Sequence, residues 1–312
     1  MLKSRLAQKQ PRISAIVVGY KSRDCIARCI ESLQKSTIPL DIIVVNNIVV
    51  NARDPQSVED IVAHFKDVTC HNTGDNLGYA GGVNVGLRLA QDHKADYVFI
   101  MNPDAYIAPD CVARLLASVQ KNPEIGIASP KTYYANSNTI WFAGATLDLK
   151  NGTSPHIGQG QKDGPEFSKN HDMPRANGCA MFIPVDALQK VGPMEDKYFL
   201  YFEEIDWSLR FHKAGYRIRF VADAHVWHAA STSTGGFFTP LYQYYTTRNS
   251  LAVFRQFGES PWPAFLARHI IQSCKRLLNI ARNQPRNIPG VTGAIILGYF
   301  DYTRGRFGRH DF

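Results

Sequence analysis

Apolar residues recur along this chain in two alternating rhythms. ISAIVV from Ile13, DIIVV from Asp41, VTCH from Val68, DYVFIM from Asp96 and IGIAS from Ile125 are short apolar runs that read as strands. Between them the spacing lengthens to three or four. Ile26, Ile30 and Leu33 share a helical face, as do Val58, Ile61, Val62 and Phe65, and then Val112, Leu115, Leu116 and Val119. Strand and helix alternate in this way from Ile13 to about Ser129, which predicts an α/β fold with a parallel, doubly wound sheet. Such sheets bind ligands beyond the carboxyl ends of their strands.

The rhythm is lost between about Thr132 and Arg175, where Asn, Gly, Ser, Pro and His dominate. That composition predicts irregular structure or short antiparallel strands, a surface suited to recognising a second ligand. Order returns at GCAMFIPV, followed by a helix over Glu203 to Ala214 and the strand RIRFV from Arg217. After Pro240 the chain reads as a helical, basic tail. There Ile270, Ile271, Cys274, Leu277, Leu278 and Ala281 form an apolar stripe opposite Arg268, Lys275, Arg276 and Arg282. Two readings fit the stripe: a helix packed on its own domain, or a helix lying on a membrane surface. No internal repeat is visible.

With 312 residues, 45% hydrophobic and 20% charged, the chain can bury a substantial core, and disorder is excluded as a starting point. The net charge of +8 fits an anionic partner such as a nucleotide phosphate or an acidic lipid surface. No nucleic-acid recognition motif accompanies the basic tail, so nucleic acid is not an expected partner. No run approaches the roughly 20 apolar residues of a membrane span. MLKSRLAQKQPR is basic and polar, without the apolar core of a signal peptide, so a cytoplasmic location is expected. Six cysteines without a Cys-x-x-Cys pair read as reduced packing residues rather than a zinc or redox site.

Four stretches carry candidate chemistry. The strand DYVFIM runs into Asn102-Pro103-Asp104, where the proline ends the ladder and presents Asp104 at the strand's carboxyl end. One carboxylate beside a diphosphate suits magnesium or manganese, which keep phosphate oxygens and water as ligands. Upstream, Asn76, Gly78, Tyr79, Gly82 and Asn84 belong to a glycine-dense helix start that can offer backbone N–H groups to a ligand or simply pack tightly on the sheet. In FLYFEEIDW, Glu203, Glu204 and Asp206 follow four apolar residues at a helix start, where the macrodipole favours ionised acids. Glu203, Asp206 and Arg210 can also share one helical face, so that at least one of these acids simply pairs with Arg210. His228 is an imidazole donor suited to a borderline metal, and Arg248 in YYTTRNS can clamp a phosphate or cover its neighbours.

Taken in order, ISAIVVGYKS, DIIVVNN, NLGYAGGVNVGL, FIMNPDA, NGCAMFIP, FLYFEEIDWSLRFHKAGYR, HVWH and YYTTRNSL resemble the inverting glycosyltransferases of family 2. The resemblance is strongest to the rhamnosyltransferase-like branch of bacterial surface-polysaccharide synthesis. It implies a GT-A fold over residues 1–239, with a nucleotide-binding half near 13–129 and an acceptor half near 130–239, and a helical extension over 240–312. The implied donor is a UDP- or dTDP-sugar, with rhamnose the sugar the branch suggests. The implied acceptor is a glycan or a polyprenyl-linked sugar at the inner face of the membrane, and the implied cofactor is Mg2+ or Mn2+. By motif position Asn46 stands at the base-reading position, Asp104 at that of the metal ligand, His228 at that of a second ligand or diphosphate contact, and Glu204 at that of the catalytic base. Glu203 and Asp206 are its alternates. Asn76, Gly78, Tyr79, Gly82, Asn84, Asn102 and Arg248 complete the expected nucleotide-sugar contacts.

Three positions depart from the family pattern: Asn46 and Asn102 replace acids, and Glu204 stands where aspartate is commoner. The rival readings are a metal-dependent nucleotidyltransferase, which would release pyrophosphate, and a carbohydrate-binding protein that keeps the fold without turnover.

Overall fold

The computed structural model describes residues 10–48, 57–229 and 236–311, so the basic stretch before residue 10 and most of the serine- and threonine-rich stretch after His228 lie outside it. In chain order the elements begin with β1 (Ile13–Gly19), α1 (Arg23–Gln34), β2 (Asp41–Asn46), α2 (Glu59–Val62), β3 (Val68–Asn72), α3 (Gly78–Asp92), β4 (Tyr97–Met101) and β5 (Ala105–Ile107). Then come α4 (Cys111–Lys121), β6 (Ile125–Tyr134), β7 (Ile140–Phe142), β8 (His171–Asp172), β9 (Ala180–Pro184), α5 (Val185–Val191), α6 (Glu203–Lys213) and β10 (Arg217–His228). Helices α7 (Pro240–Phe257), α8 (Trp262–Asn283) and α9 (Ile288–Thr303) complete the chain.

One sheet runs in the order β3-β2-β1-β4-β9-β6-β10-β5, with β7 and β8 on the edges of β6 and β10. β1 to β4, β6 and β10 share a direction, as the continuous apolar runs predict. Each face is covered. Ala15 and Val17 of β1 pack with the stripe Ile26, Cys29, Ile30 and Leu33 of α1 and with α4. Ile16 and Val18 of the same strand point the other way, into the core beneath α3 and α6.

β9 is the exception that shapes the site. It inserts antiparallel between β4 and β6, with Met101 opposite Ala180 and Tyr97 opposite Pro184. The start of β9 therefore meets the carboxyl end of β4, and Asn177, Gly178 and Cys179 arrive where ligands bind in such sheets. The irregular stretch holds short antiparallel pieces: β7, β8 and the bridges Ala145 to His156 and Asp148 to Thr153.

The C-terminal helices pack closely against the sheet domain. α7 starts at a Thr239 cap and Pro240 and is buried continuously from Gln243 to Leu251. α8 turns its polar side inward. His269 bridges Ser250 and the Tyr299 hydroxyl, Ser273 also meets Tyr299, and Arg276 reaches Thr247 at 3.2 Å. Burial and Arg276 hold the His269 pKa down at about 3. Packing of α8 through its apolar stripe is thus overturned for most of the stripe: Ile270, Ile271 and Leu278 are 46%, 54% and 59% exposed. Cys274 is exposed too, while Cys29, Cys111 and Cys179 are buried, and all the cysteines are free. No helix among the described residues is long and apolar enough to cross a membrane.

Candidate active site

A cleft of about 760 Å³ opens along the carboxyl edge of the parallel strands, walled by residues from β1, β7, β10, α3, α6 and α7, by the turn after β4 and by the residues just before β9. Its volume lies in the range of small-ligand sites.

Asp104 and His228 meet at one side of this cleft. The antiparallel pairing of β5 with β10 sets His228 opposite Ala105, so the imidazole reaches the preceding residue. His228 Nε2 lies 3.0 Å from Asp104 Oδ1, both side chains being almost wholly buried, and Asn102 Nδ2 lies 3.4 Å from the same nitrogen. Burial opposes charge on the ring, but Cys179 and Asp104 raise its pKa to about 10. Among the described residues no three His, Cys, Asp or Glu side chains are placed to hold a metal ion. Once the ring gives up its proton, as metal ligation requires, the pair offers one carboxylate oxygen and one imidazole nitrogen. That donor set fits manganese or magnesium if ligand phosphate oxygens and water fill the other positions.

The acids of α6 divide. Glu203 and Glu204 line the cleft, whereas Asp206, 2% exposed, accepts from Arg210 at 2.7 Å and from the Tyr198 hydroxyl at 3.2 Å. Asp206 is therefore a structural ion-pair partner. Glu203 is 4% exposed and its Oε2 lacks a hydrogen-bond partner among the described residues. Burial, and then the neighbouring Glu204, push the Glu203 pKa well above the ordinary carboxylate range. Burial also raises Glu204, but the buried Arg175 opposes that shift. Arg175 is held by Ser154 and the Ala176 carbonyl and reaches the cleft wall beside Trp141 and His156. Burial and Arg175 lower the His156 pKa to about 4, which keeps that ring neutral.

The glycine-dense segment and the acidic segment meet directly. Tyr79 N donates to the Phe199 carbonyl at 2.7 Å, and the Tyr79 hydroxyl donates to the Gly178 carbonyl. Gly78, at φ +72°, has no room for a side chain, because a Cβ would overlap that same Phe199 carbonyl. Asn76 lines the cleft and accepts from Gly78 N at 3.0 Å.

Four expected contacts fall away from the cleft walls. Asn46 is 1% exposed and donates to Asn72 and Ser57; the following loop from residue 49 lies outside the described residues. Gly82 packs on β1, where a Cβ would come within 2.5 Å of Val18. Asn84 exchanges hydrogen bonds with the Met194 backbone. Arg248 is 1% exposed, and its guanidinium serves the Tyr198 and Gly308 carbonyls, Tyr244 and Asn249.

Other wall residues carry no motif that singles them out in the sequence. Asn47 bridges Leu77 N and the Gly78 carbonyl at the cleft. Arg309, His310 and Asp311, which follow α9, also reach it, with Arg309 paired to Asp75 at 3.0 Å.

Comparison with known proteins identifies the family and the fold. Residues 14–192, more than half of the chain, match the family described as Glycosyl transferase family 2. The Haloferax volcanii low-salt glycan biosynthesis hexosyltransferase Agl10 is 26% identical over 205 residues, 64% of this chain; the match spans 61% of that relative's length. The Mycobacterium tuberculosis N-acetylglucosaminyl-diphospho-decaprenol L-rhamnosyltransferase is 24% identical over 72% of this chain and 78% of its own. Among solved structures, the Pyrobaculum calidifontis mannosyltransferase PcManGT, in complex with GDP-Man and Mn2+, superposes with a TM-score of 0.56 at 17% identity. That likeness covers 94% of this chain and 76% of the other.

Proposed function

Because the chain belongs to glycosyltransferase family 2 and shares the GT-A fold, we propose that it transfers a sugar, with inversion, from a UDP- or dTDP-sugar to an acceptor hydroxyl. The acceptor is a glycan or lipid-linked sugar of bacterial cell-surface polysaccharide synthesis. The mycobacterial relative favours rhamnose as the sugar and a diphospho-polyprenol as the carrier. The observation that carries this reading is the shared cleft, lined by the Asp104 and His228 pair and by Glu204 together.

In the proposed reaction Glu204 accepts the proton of the acceptor hydroxyl, from a distance of roughly 2.6 to 3.2 Å. Arg175 favours the ionised form that this task requires. Asp104 and His228 would hold the divalent ion, which when bound would supply positive charge to the departing diphosphate. Lys21 and Arg309, both at the cleft, add cationic contacts for the same phosphates. Asn47, Asn76 and Tyr79 frame the nucleotide side. Trp141 and His156 frame the acceptor side, where a flat indole suits a sugar ring. Much of the acceleration comes from holding donor and acceptor in line.

The test is to incubate the protein with manganese, an acceptor glycan and UDP-, dTDP- and GDP-sugars in turn, and to follow the released nucleotide and the anomeric configuration. Release of a nucleoside diphosphate with an inverted linkage is expected. Pyrophosphate release, or retained configuration, contradicts the reading.

A further inference from the structure

The outward face of α8 has the wrong polarity for a helix surrounded by water. The side turned toward α7 and α9 carries His269, Ser273 and Arg276 in a hydrogen-bonded network. The opposite side presents Ile270, Ile271 and Leu278, each close to half exposed or more. At 100° per residue these three fall within one outward arc, together with the exposed Ala267, Cys274 and Ala281. Scattered exposed apolar residues need no explanation, but a continuous stripe on one helix does.

Charge selects the partner. From Ser260 to Phe300 the chain contains no Asp or Glu, while Arg268, Lys275, Arg276, Arg282 and Arg286 fall within it. Lys275 and Arg282 are exposed and border the apolar arc. A protein partner could cover the apolar stripe, but a surface that is uniformly negative as well as apolar beneath meets both properties together. We infer that α8 lies flat on an anionic lipid bilayer, with Ile270, Ile271 and Leu278 below the headgroups and Lys275 and Arg282 at the phosphates. No residue of α8 lines the cleft, so the inference stands on a different face from the proposed reaction and survives if that reading fails.

The test uses the full chain and vesicles of phosphatidylcholine, with or without phosphatidylglycerol, in a sedimentation assay that needs no nucleotide sugar. Binding is expected only to the anionic vesicles and weakens as salt rises. Lys275→Ala with Arg282→Ala lowers the partition coefficient by about fivefold per charge removed. Ile270→Glu with Leu278→Glu abolishes sedimentation without lowering the melting temperature, because both positions are exposed. Equal binding to neutral vesicles, or none to either kind, overturns the inference. So does a dimer, seen by analytical ultracentrifugation, that Ile270→Glu with Leu278→Glu dissociates; the stripe would then face a second copy of the chain.

Discussion

The Asn249 side-chain amide donates to the Tyr201 carbonyl at 2.8 Å. The same amide serves the carbonyls of Leu200 and Tyr198, and Arg248 adds a second bond to Tyr198. The turn they hold is strained: Phe199, Tyr201 and Phe202 have φ of 65°, 65° and 74°, a region that costs a residue with a Cβ about 1–2 kcal/mol. Glu203 follows at once, so α7 fixes the turn that presents both cleft acids.

Asn249→Ala should therefore lower kcat by about tenfold or more through misplacement of the acids, and lower stability by about 1–3 kcal/mol through unpaired carbonyls. Arg248→Lys should leave the nucleotide-sugar dissociation constant within about twofold while lowering the melting temperature, since Arg248 lies off the cleft. Calorimetry with thermal denaturation checks both. A large loss of donor affinity in Arg248→Lys would restore the phosphate-clamp role.

Gly78 and Gly74 share a left-handed backbone, but a Cβ at Gly74 would meet nothing within 4 Å. Gly74→Ala should cost only the conformational term of about 1 kcal/mol. Gly78→Ala should cost more than about 2 kcal/mol, because it must also displace the Phe199 carbonyl. Chemical denaturation gives the comparison; equal losses would mean that the close approach does not matter.

The pH dependence follows from Glu204 and Arg175. A base acts in its ionised form, and burial raises the Glu204 pKa, so kcat should rise with pH through a value above the ordinary carboxylate range. Arg175 opposes that rise. Arg175→Met should move the acid limb of the pH–rate profile to higher pH, with the larger rate loss on the acid side. A limb that stays in place would separate Arg175 from the base.

Asp104→Asn keeps the shape of the side chain but removes its charge. Manganese-dependent donor binding should fall by more than the roughly 10- to 100-fold typical of losing a supporting contact to a metal ligand. Titration calorimetry with and without manganese measures this. Unchanged dependence on the metal would exclude Asp104 as its ligand.

Much of this architecture is legible in the sequence, because strands buried on both faces and helices with one apolar face leave simple periodicities. β1, β2, β4 and α1 are examples. The pairing of Asp104 with His228 is not legible, since it depends on the antiparallel register of β5 and β10. Nor is the choice among three acids: only the folded turn separates Glu203 and Glu204 at the cleft from Asp206 at Arg210. The position of α8 is hidden for another reason. Its periodicity reveals an apolar face but not whether that face meets protein or solvent, and a satisfied polar network on the other side decides the matter. Asn47 and Arg309 carry no local signal, because a distant backbone places them at the cleft.

The most direct test of the central claim is turnover by Glu204→Gln, measured beside Glu203→Gln with calorimetric control of donor binding. The amide preserves volume but cannot take the acceptor proton. Turnover should fall by about 10²- to 10⁴-fold with donor affinity unchanged, while Glu203→Gln retains more activity than Glu204→Gln. Parental turnover in Glu204→Gln, with normal donor binding, would contradict the assignment of Glu204 as the base.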